Sequence, residues 1–384
     1  MNHHDVMELI REAKSLPSLV SELMIRDADS ALNDWAVRYY LDVRARERGI
    51  PLKGTFEITP MCNLDCKMCY VHLNAEQLRE QKLLPAEKWE QIMSEAIDAG
   101  MMYASLTGGE CLTSPDFDRL YLYLHSRGIQ VSILTNAVLL DEARIDFFKK
   151  HPPVSIQATL YGYDEESYER VTGRREFARV AENLRRADRA GLPLIISLTP
   201  NPYLGSDAEK LVRFADSLGI RFYINSGLMT PREETGRVEG FRDIGIDEYI
   251  RLFKLQMALK GELPPPECAQ DLPNPGGDAA QAPRGLRCGG GRSSFNVTWE
   301  GELIPCNRLC HLSAKPLDFG FAEAWQIVHK HAMEYLLPRE CESCPYKPAA
   351  SPCAAKHEEN PGHADLRQCE YCRALVKAGI VKIQ

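Results

Sequence analysis

No stretch of this chain approaches the roughly 18 consecutive apolar residues that a membrane-spanning helix needs. Its opening residues, Met1-Asn2-His3-His4-Asp5, are polar, with no long apolar run behind them. The expectation is a chain with neither a membrane anchor nor a secretory signal. Surplus positive charge is missing as well. The net charge is -8 over 384 residues, which argues against a dedicated nucleic-acid surface. Nor does any stretch interleave aromatic and basic residues as RNA-binding platforms do. What remains is 44% hydrophobic and 26% charged, the composition of an ordinary soluble globular protein. The length allows two or three domains and a large core.

Cysteine, by contrast, is plentiful. Thirteen cysteines in a short secreted chain would suggest disulfides. Here several fall into C-x2-C groups in a chain that reads as cytoplasmic, which points to metal or clusters in a reducing compartment. The chain is organised around Cys62-Asn63-Leu64-Asp65-Cys66-Lys67-Met68-Cys69-Tyr70. This C-x3-C-x2-C loop follows Thr55-Phe56-Glu57-Ile58-Thr59, an alternating run that predicts a strand ending at Pro60. Thiolates so closely spaced can converge on iron–sulfur or zinc centres. Three ligands, not four, suit a cubane cluster with one iron left open. A structural zinc loop would want a fourth ligand nearby, and the next cysteine, Cys111, is distant in sequence.

Residues 1–53 read as helical, with Val6, Leu9, Ile10, Leu32, Trp35, Ala36, Tyr39 and Tyr40 at helical spacing. They are expected to cap the main domain, since they lack the strand pattern of a winged helix–turn–helix. Residues 54–260 alternate short apolar runs with amphipathic segments, the mark of βα units on a parallel sheet. Strands are predicted near 55–59, 102–107, 130–135, 154–160, 193–199 and 220–225. Helices are predicted near 86–99, 116–127, 141–150, 165–190, 207–218 and 247–260. Residues 261–287, rich in proline and glycine, form a linker that contains Cys268. In 288–384, two alternating runs around Glu300-Gly301 predict a hairpin with Cys288 before it and Cys306 after it. Further on stand Cys310, Cys341-x2-Cys344, Cys353 and Cys369-x2-Cys372.

The cysteine loop, followed after the second predicted strand by Gly108-Gly109-Glu110, resembles the radical S-adenosylmethionine (SAM) enzymes. The resemblance implies an α/β fold, a partial (β/α)6 TIM-like barrel. It implies a 4Fe-4S cluster on Cys62, Cys66 and Cys69 whose open iron takes SAM, with the Gly-Gly-Glu motif holding the SAM amino group. Leu134-Thr135-Asn136-Ala137 is similar to the family's Thr-Asn-Gly, so Asn136 is expected to point into the site. Thr159 falls where the family places a hydroxyl on the SAM ribose. The stretch from Arg170 to Arg175 is a candidate for the SAM carboxylate or a solvated helix end.

Residues 288–384 resemble the SPASM extension, a small cysteine-rich domain that holds one or two auxiliary 4Fe-4S clusters. The family's cysteine near Ala350 is absent, and Cys369 is an extra one. One set of ligands is then Cys341, Cys344, Cys369 and Cys372, for which a zinc ribbon is the alternative. The other is Cys288, Cys306 and Cys353, completed by Cys268, Cys310 or His357.

By the same resemblance, SAM cleavage yields a 5'-deoxyadenosyl radical that takes hydrogen from a substrate, and a reductant such as flavodoxin or ferredoxin supplies the electron. The substrate implied first is a ribosomally made precursor peptide, oxidatively modified or cross-linked. Alternatives are a dehydrogenase or epimerase of a small molecule or peptide, and a non-catalytic electron-transfer or regulatory protein. Sulfatase-maturing relatives carry an aspartate after the hairpin cysteine. Here that residue is Asn307.

Overall fold

In the computed structural model, described for residues 8–10, 12–27, 32–81, 83–225, 232, 244–260, 285–336, 344–346, 353–355 and 366–380, period-two alternation sorts each strand into two faces. β1 (Lys53–Glu57), β2 (Tyr103–Thr107), β3 (Gln130–Thr135), β4 (Ser155–Leu160), β5 (Leu194–Leu198) and β6 (Phe222–Ile224) run parallel, each beside the next. On one face Phe56, Leu106, Ile133 and Ile156 stand in register and are fully buried. The opposite face carries Thr55, Ser105, Ser132 and Ser155 in one row, half-buried. Polar side chains on the concave side of an open parallel sheet leave room for a ligand where the loops converge.

Helices alternate with these strands, and those over 86–98 and 117–126 bury apolar stripes against the apolar face. α1 (Leu16–Asp27) and α2 (Leu32–Arg48) come first, then α3 (Ala75–Glu80), α4 (Ala86–Asp98), α5 (Phe117–Ser126) and α6 (Glu142–Lys150). In α4, Trp89, Ile92, Met93 and Ala96 recur at helical spacing and are buried, with Trp89 edge-on to Phe56. The single helix expected over 165–190 is two, α7 (Glu165–Thr172) and α8 (Phe177–Arg189). Gly173, in the left-handed region at φ 68, caps α7, a conformation that costs glycine little. α9 (Ala208–Ser217) and α10 (Ile246–Lys260) complete the repeats. The six strands thus fall within a residue or two of their expected ranges.

The C-terminal residues add to this sheet. β7 (Ser294–Val297) and β8 (Leu303–Ile304) form the expected hairpin, with Gly301 at φ 83 in its turn. β7 also pairs in parallel with β1, Lys53 opposite Ser294 through Phe56 opposite Val297. The sheet is therefore eight-stranded and open, in the order β6-β5-β4-β3-β2-β1-β7-β8. Phe295 packs edge-on against Phe56 and Phe321, so the hairpin shares the barrel core. α11 (Pro316–Phe319), α12 (Phe321–Glu334) and α13 (Leu366–Lys377) follow. Tyr371 of α13 packs edge-on against Tyr249 of α10.

The N-terminal helices were expected as a cap, and they carry a small core of their own around Leu19, Leu23, Tyr39 and Tyr40. Asp42 of α2, buried, joins them to the sheet. It takes Arg46 at 2.5 Å, the Ser293 hydroxyl at 2.8 Å and Lys53 at 3.4 Å. Among the described residues, no helix is long and apolar enough to cross a membrane.

Candidate functional site

The cysteine loop leaves the C-terminal end of β1 and is held from two sides. From one side, Gly109 N donates to Thr59 O at 2.8 Å and Glu110 N to Met61 O at 2.7 Å. From the other, Asp65 N and Lys67 N donate to the carbonyls of Thr172 and Val171 at the end of α7. Gly108 and Gly109 follow β2 directly. They let two backbones approach each other: a Cβ on Gly108 would stand 2.2 Å from Thr59 O, and one on Gly109 2.4 Å from Met61 O.

Glu110, whose carboxylate is expected to face the SAM ammonium group, is 1% exposed and accepts from protein donors at the end of β3 and in the turn after β2. Oε1 accepts from Thr135 Oγ1 at 2.8 Å and Leu112 N at 3.0 Å, and Oε2 from Asn136 N at 2.7 Å. A desolvated carboxylate needs such partners. Burial pushes its pKa up, and the donors pull it partly back.

Asn136 turns toward the cysteine loop, donating to Asn63 Oδ1 at 2.7 Å and lying 3.8 Å from Cys62 Sγ. Ala137, where the family has glycine, is the one non-glycine at positive φ, 63°, among the described residues. Its carbonyl and that of Val138 accept from buried Asn183. Thr159 lies half-buried on β4 opposite Ser197.

Two residues beyond Thr159, Tyr161 sits within electrostatic reach of Cys62, Cys66 and Cys69, and burial followed by those thiols pushes its hydroxyl well above its ordinary value. The loop's three thiols thus share one neighbourhood. Burial also pushes Cys62 up to about 12, so without metal its thiol holds its proton, and a bound metal would displace it. Among the described residues no three His, Cys, Asp or Glu side chains converge on a single-ion site. A cluster does not ask for that, because each thiol takes a different iron. Three thiols of one loop, without a fourth, fit a cluster with an open iron. In the stretch 170–175, Arg170 pairs with Glu166 and Asp207 and Arg175 with Glu169, while Arg174 is exposed.

The second group is gathered in part. Burial, then the neighbouring Cys288 and Cys353, raises Cys306 to about 12, with backbone N–H groups opposing. Cys288, exposed on its outer side, is raised by desolvation from the surrounding chain and by Cys353. Cys288, Cys306 and Cys353 are therefore neighbours. Cys310 Sγ lies 3.8 Å from Asn307 O, one turn from Cys306. Arg373, next to Cys372, stacks at 5.8 Å on Tyr346, two residues after Cys344. Cys372 is buried and Cys369 half-buried on α13. Cys268, Cys341 and His357 lie outside the described residues.

One constellation went unnoticed in the sequence. Arg232, 4% exposed, grips Glu57, 2% exposed, with Nη2–Oε1 at 2.6 Å and Nη1–Oε2 at 3.1 Å. Its Nε donates to Asn307 O at 3.0 Å and its backbone N to Tyr70 O at 2.9 Å. The guanidinium lies over the rings of Tyr70 and Trp299, and Asn307 Nδ2 donates to the Tyr70 hydroxyl at 2.8 Å. The only sequence hint was an acidic residue inside a predicted strand.

Residues 56–218 match the family described as the Radical SAM superfamily. Over 321 residues the chain is 24% identical to the PqqA peptide cyclase of Granulibacter bethesdensis, covering 77% of this chain and 79% of that one. It is 23% identical over 209 residues to the sporulation killing factor maturation protein SkfB of Bacillus subtilis, covering 54% and 49%. In structure it resembles Streptococcus suis SuiB bound to its precursor peptide SuiA. There the TM-score is 0.64 at 15% identity, over 93% of this chain and 89% of that one.

Proposed function

Residues 56–218 belong to the radical SAM superfamily, and from that premise we propose that the chain is an enzyme that oxidatively modifies or cross-links a ribosomally made peptide. The observation that carries this reading is the three-thiol loop, pinned between the Gly-Gly turn and the end of α7 at the C-terminal edge of a parallel sheet. The relatives point to the substrate class, since they are named for a peptide cyclase and a killing-factor maturase.

Cys62, Cys66 and Cys69 would hold the cluster, leaving one iron for SAM. When bound, the pair supplies a carbon radical able to take hydrogen from an unactivated carbon. The chain's own residues position and shield. Glu110 ties the Gly-Gly turn to the third strand, Asn136 braces the cysteine loop, and Tyr161 closes its buried side. In this reading Thr159 faces the SAM ribose, and the backbone at Gly108 and Gly109 faces the amino group. Asn307, an amide that donates to Tyr70, gives no support to a reaction that needs a base at the hairpin.

Auxiliary clusters extend the proposal. One would use Cys288, Cys306 and Cys353 with Cys310, Cys268 or His357, as the electrostatic coupling among the first three supports. The other would use Cys341, Cys344, Cys369 and Cys372, as the Tyr346–Arg373 contact supports. A flavodoxin- or ferredoxin-like reductant, in a cytoplasmic setting, would supply electrons.

The test is anaerobic reconstitution with iron and sulfide, followed by iron analysis and 5'-deoxyadenosine formation from SAM, beside Cys66→Ala. The expected result is about twelve irons per chain for three 4Fe-4S clusters, with cleavage abolished in the variant. Absence of cleavage in the wild type would overturn the enzyme reading. Cys369→Ala with unchanged iron would sink its part as a ligand.

A further inference from the structure

The Glu57–Arg232 pair lies between the two cysteine-bearing loops. Arg232 N reaches the carbonyl of Tyr70, the residue after Cys69, and Nε reaches the carbonyl of Asn307, the residue after Cys306. Asn307 O also receives the Cys310 thiol. A nearly dry bidentate ion pair is a weak device for stability, because desolvating two charges offsets much of their attraction. What such a pair provides reliably is a fixed arrangement of charge. An iron–sulfur centre gains negative charge on reduction, so a lone guanidinium beside it would favour the reduced form and make it a weaker reductant. Glu57 cancels that charge at 2.6 Å.

We infer that Glu57 and Arg232 set the reduction potential of the iron–sulfur centre on Cys62, Cys66 and Cys69, presenting no net charge to it, so that losing either partner moves the potential in opposite directions. The inference rests on the radical SAM reading above. Neither residue is a cluster ligand. Their role is positioning of charge: a poised pair keeps the centre a strong reductant toward SAM.

The experiment uses the full chain, reconstituted anaerobically, and follows the centre by electron paramagnetic resonance during a potentiometric titration. At the wild-type midpoint, Glu57→Gln is expected to raise the ratio of reduced to oxidised centre roughly tenfold, and Arg232→Met to lower it about as much. That is the scale of one unit charge about 10 Å away at an effective dielectric near 20. Either single variant leaves a buried unpaired charge and can fail to fold. The neutral double variant, Glu57→Gln with Arg232→Met, therefore completes the set and is expected to return within about threefold of wild type. Loosened packing would shift all three variants in one direction, and that result, like no shift at all, would overturn the inference. A double variant far from the wild-type midpoint would do the same. A wild-type chain whose reduced spectrum does not change on adding SAM would instead overturn the radical SAM reading, which keeps the two failures apart.

Discussion

Replacing Glu110 by glutamine keeps the shape of the side chain and turns one acceptor oxygen into a donor. In the native chain the carboxylate accepts from Thr135 Oγ1, Leu112 N and Asn136 N, all within 3.0 Å. Whichever way the new amide faces, its NH2 group points at a backbone N–H, of Asn136 or of Leu112. One hydrogen bond to a charged acceptor is lost and a buried donor is left unpaired, each worth about 1.5–3 kcal/mol. The variant is relieved of a desolvated charge, which offsets part of this. A net loss of about 2 kcal/mol is expected, seen as a lower urea midpoint at unchanged slope.

Linkage gives a second signature. Burial holds the folded pKa of Glu110 above its ordinary value, so its contribution is largest below the ordinary glutamate range and is lost as pH rises through the folded value. Glutamine does not titrate. The stability gap between wild type and Glu110→Gln should therefore widen as pH falls through that window. A midpoint that does not move would refute the bracing role and return Glu110 to the ligand.

Three further substitutions check other parts of the site. Gly109→Ala would place a Cβ 2.4 Å from Met61 O and 2.6 Å from Pro60 O. It should cost about 1–3 kcal/mol and lower iron per chain after reconstitution, whereas normal iron uptake would show that the cysteine loop does not lean on this contact. Asn183→Ala removes the donor to both Ala137 O and Val138 O, with an expected loss of about 2–3 kcal/mol in thermal unfolding; a change below about 0.5 would mean that the left-handed turn stands without it. Asp164→Ala removes the N-cap of α7, where Oδ1 accepts from Ser167 N at 2.7 Å, and should cost about 1 kcal/mol in urea. No loss there would mean that Ser167 alone holds the helix end.

The strands were legible because alternation is a local signal, and the cysteine loop because chemistry dictates its spacing. The break at Gly173 was missed although Gly173-Arg174-Arg175-Glu176 interrupts the apolar spacing, because two amphipathic helices on either side read as one. Gly-Gly-Glu was legible as a motif, but the use of its carboxylate depends on donors brought by another strand, β3. The pairing of β7 with β1 joins segments more than two hundred positions apart, and no local pattern encodes such a register. Arg232 stands where periodicity gives no purchase, and its meaning appears only once Glu57, Tyr70 and Asn307 surround it.

That parallel pairing has a consequence for electron transfer between the clusters proposed above. Neighbouring strands stand about 4.8 Å apart, so the ladder from Lys53–Ser294 to Phe56–Val297 gauges the gap between the loop after β1 and the hairpin that leads to Cys306. Tunnelling falls off with distance through the protein, not with distance along the chain. With a cluster on each cysteine group, as proposed above, residues could be added to or taken from the connection between them without changing how fast an electron crosses from one to the other.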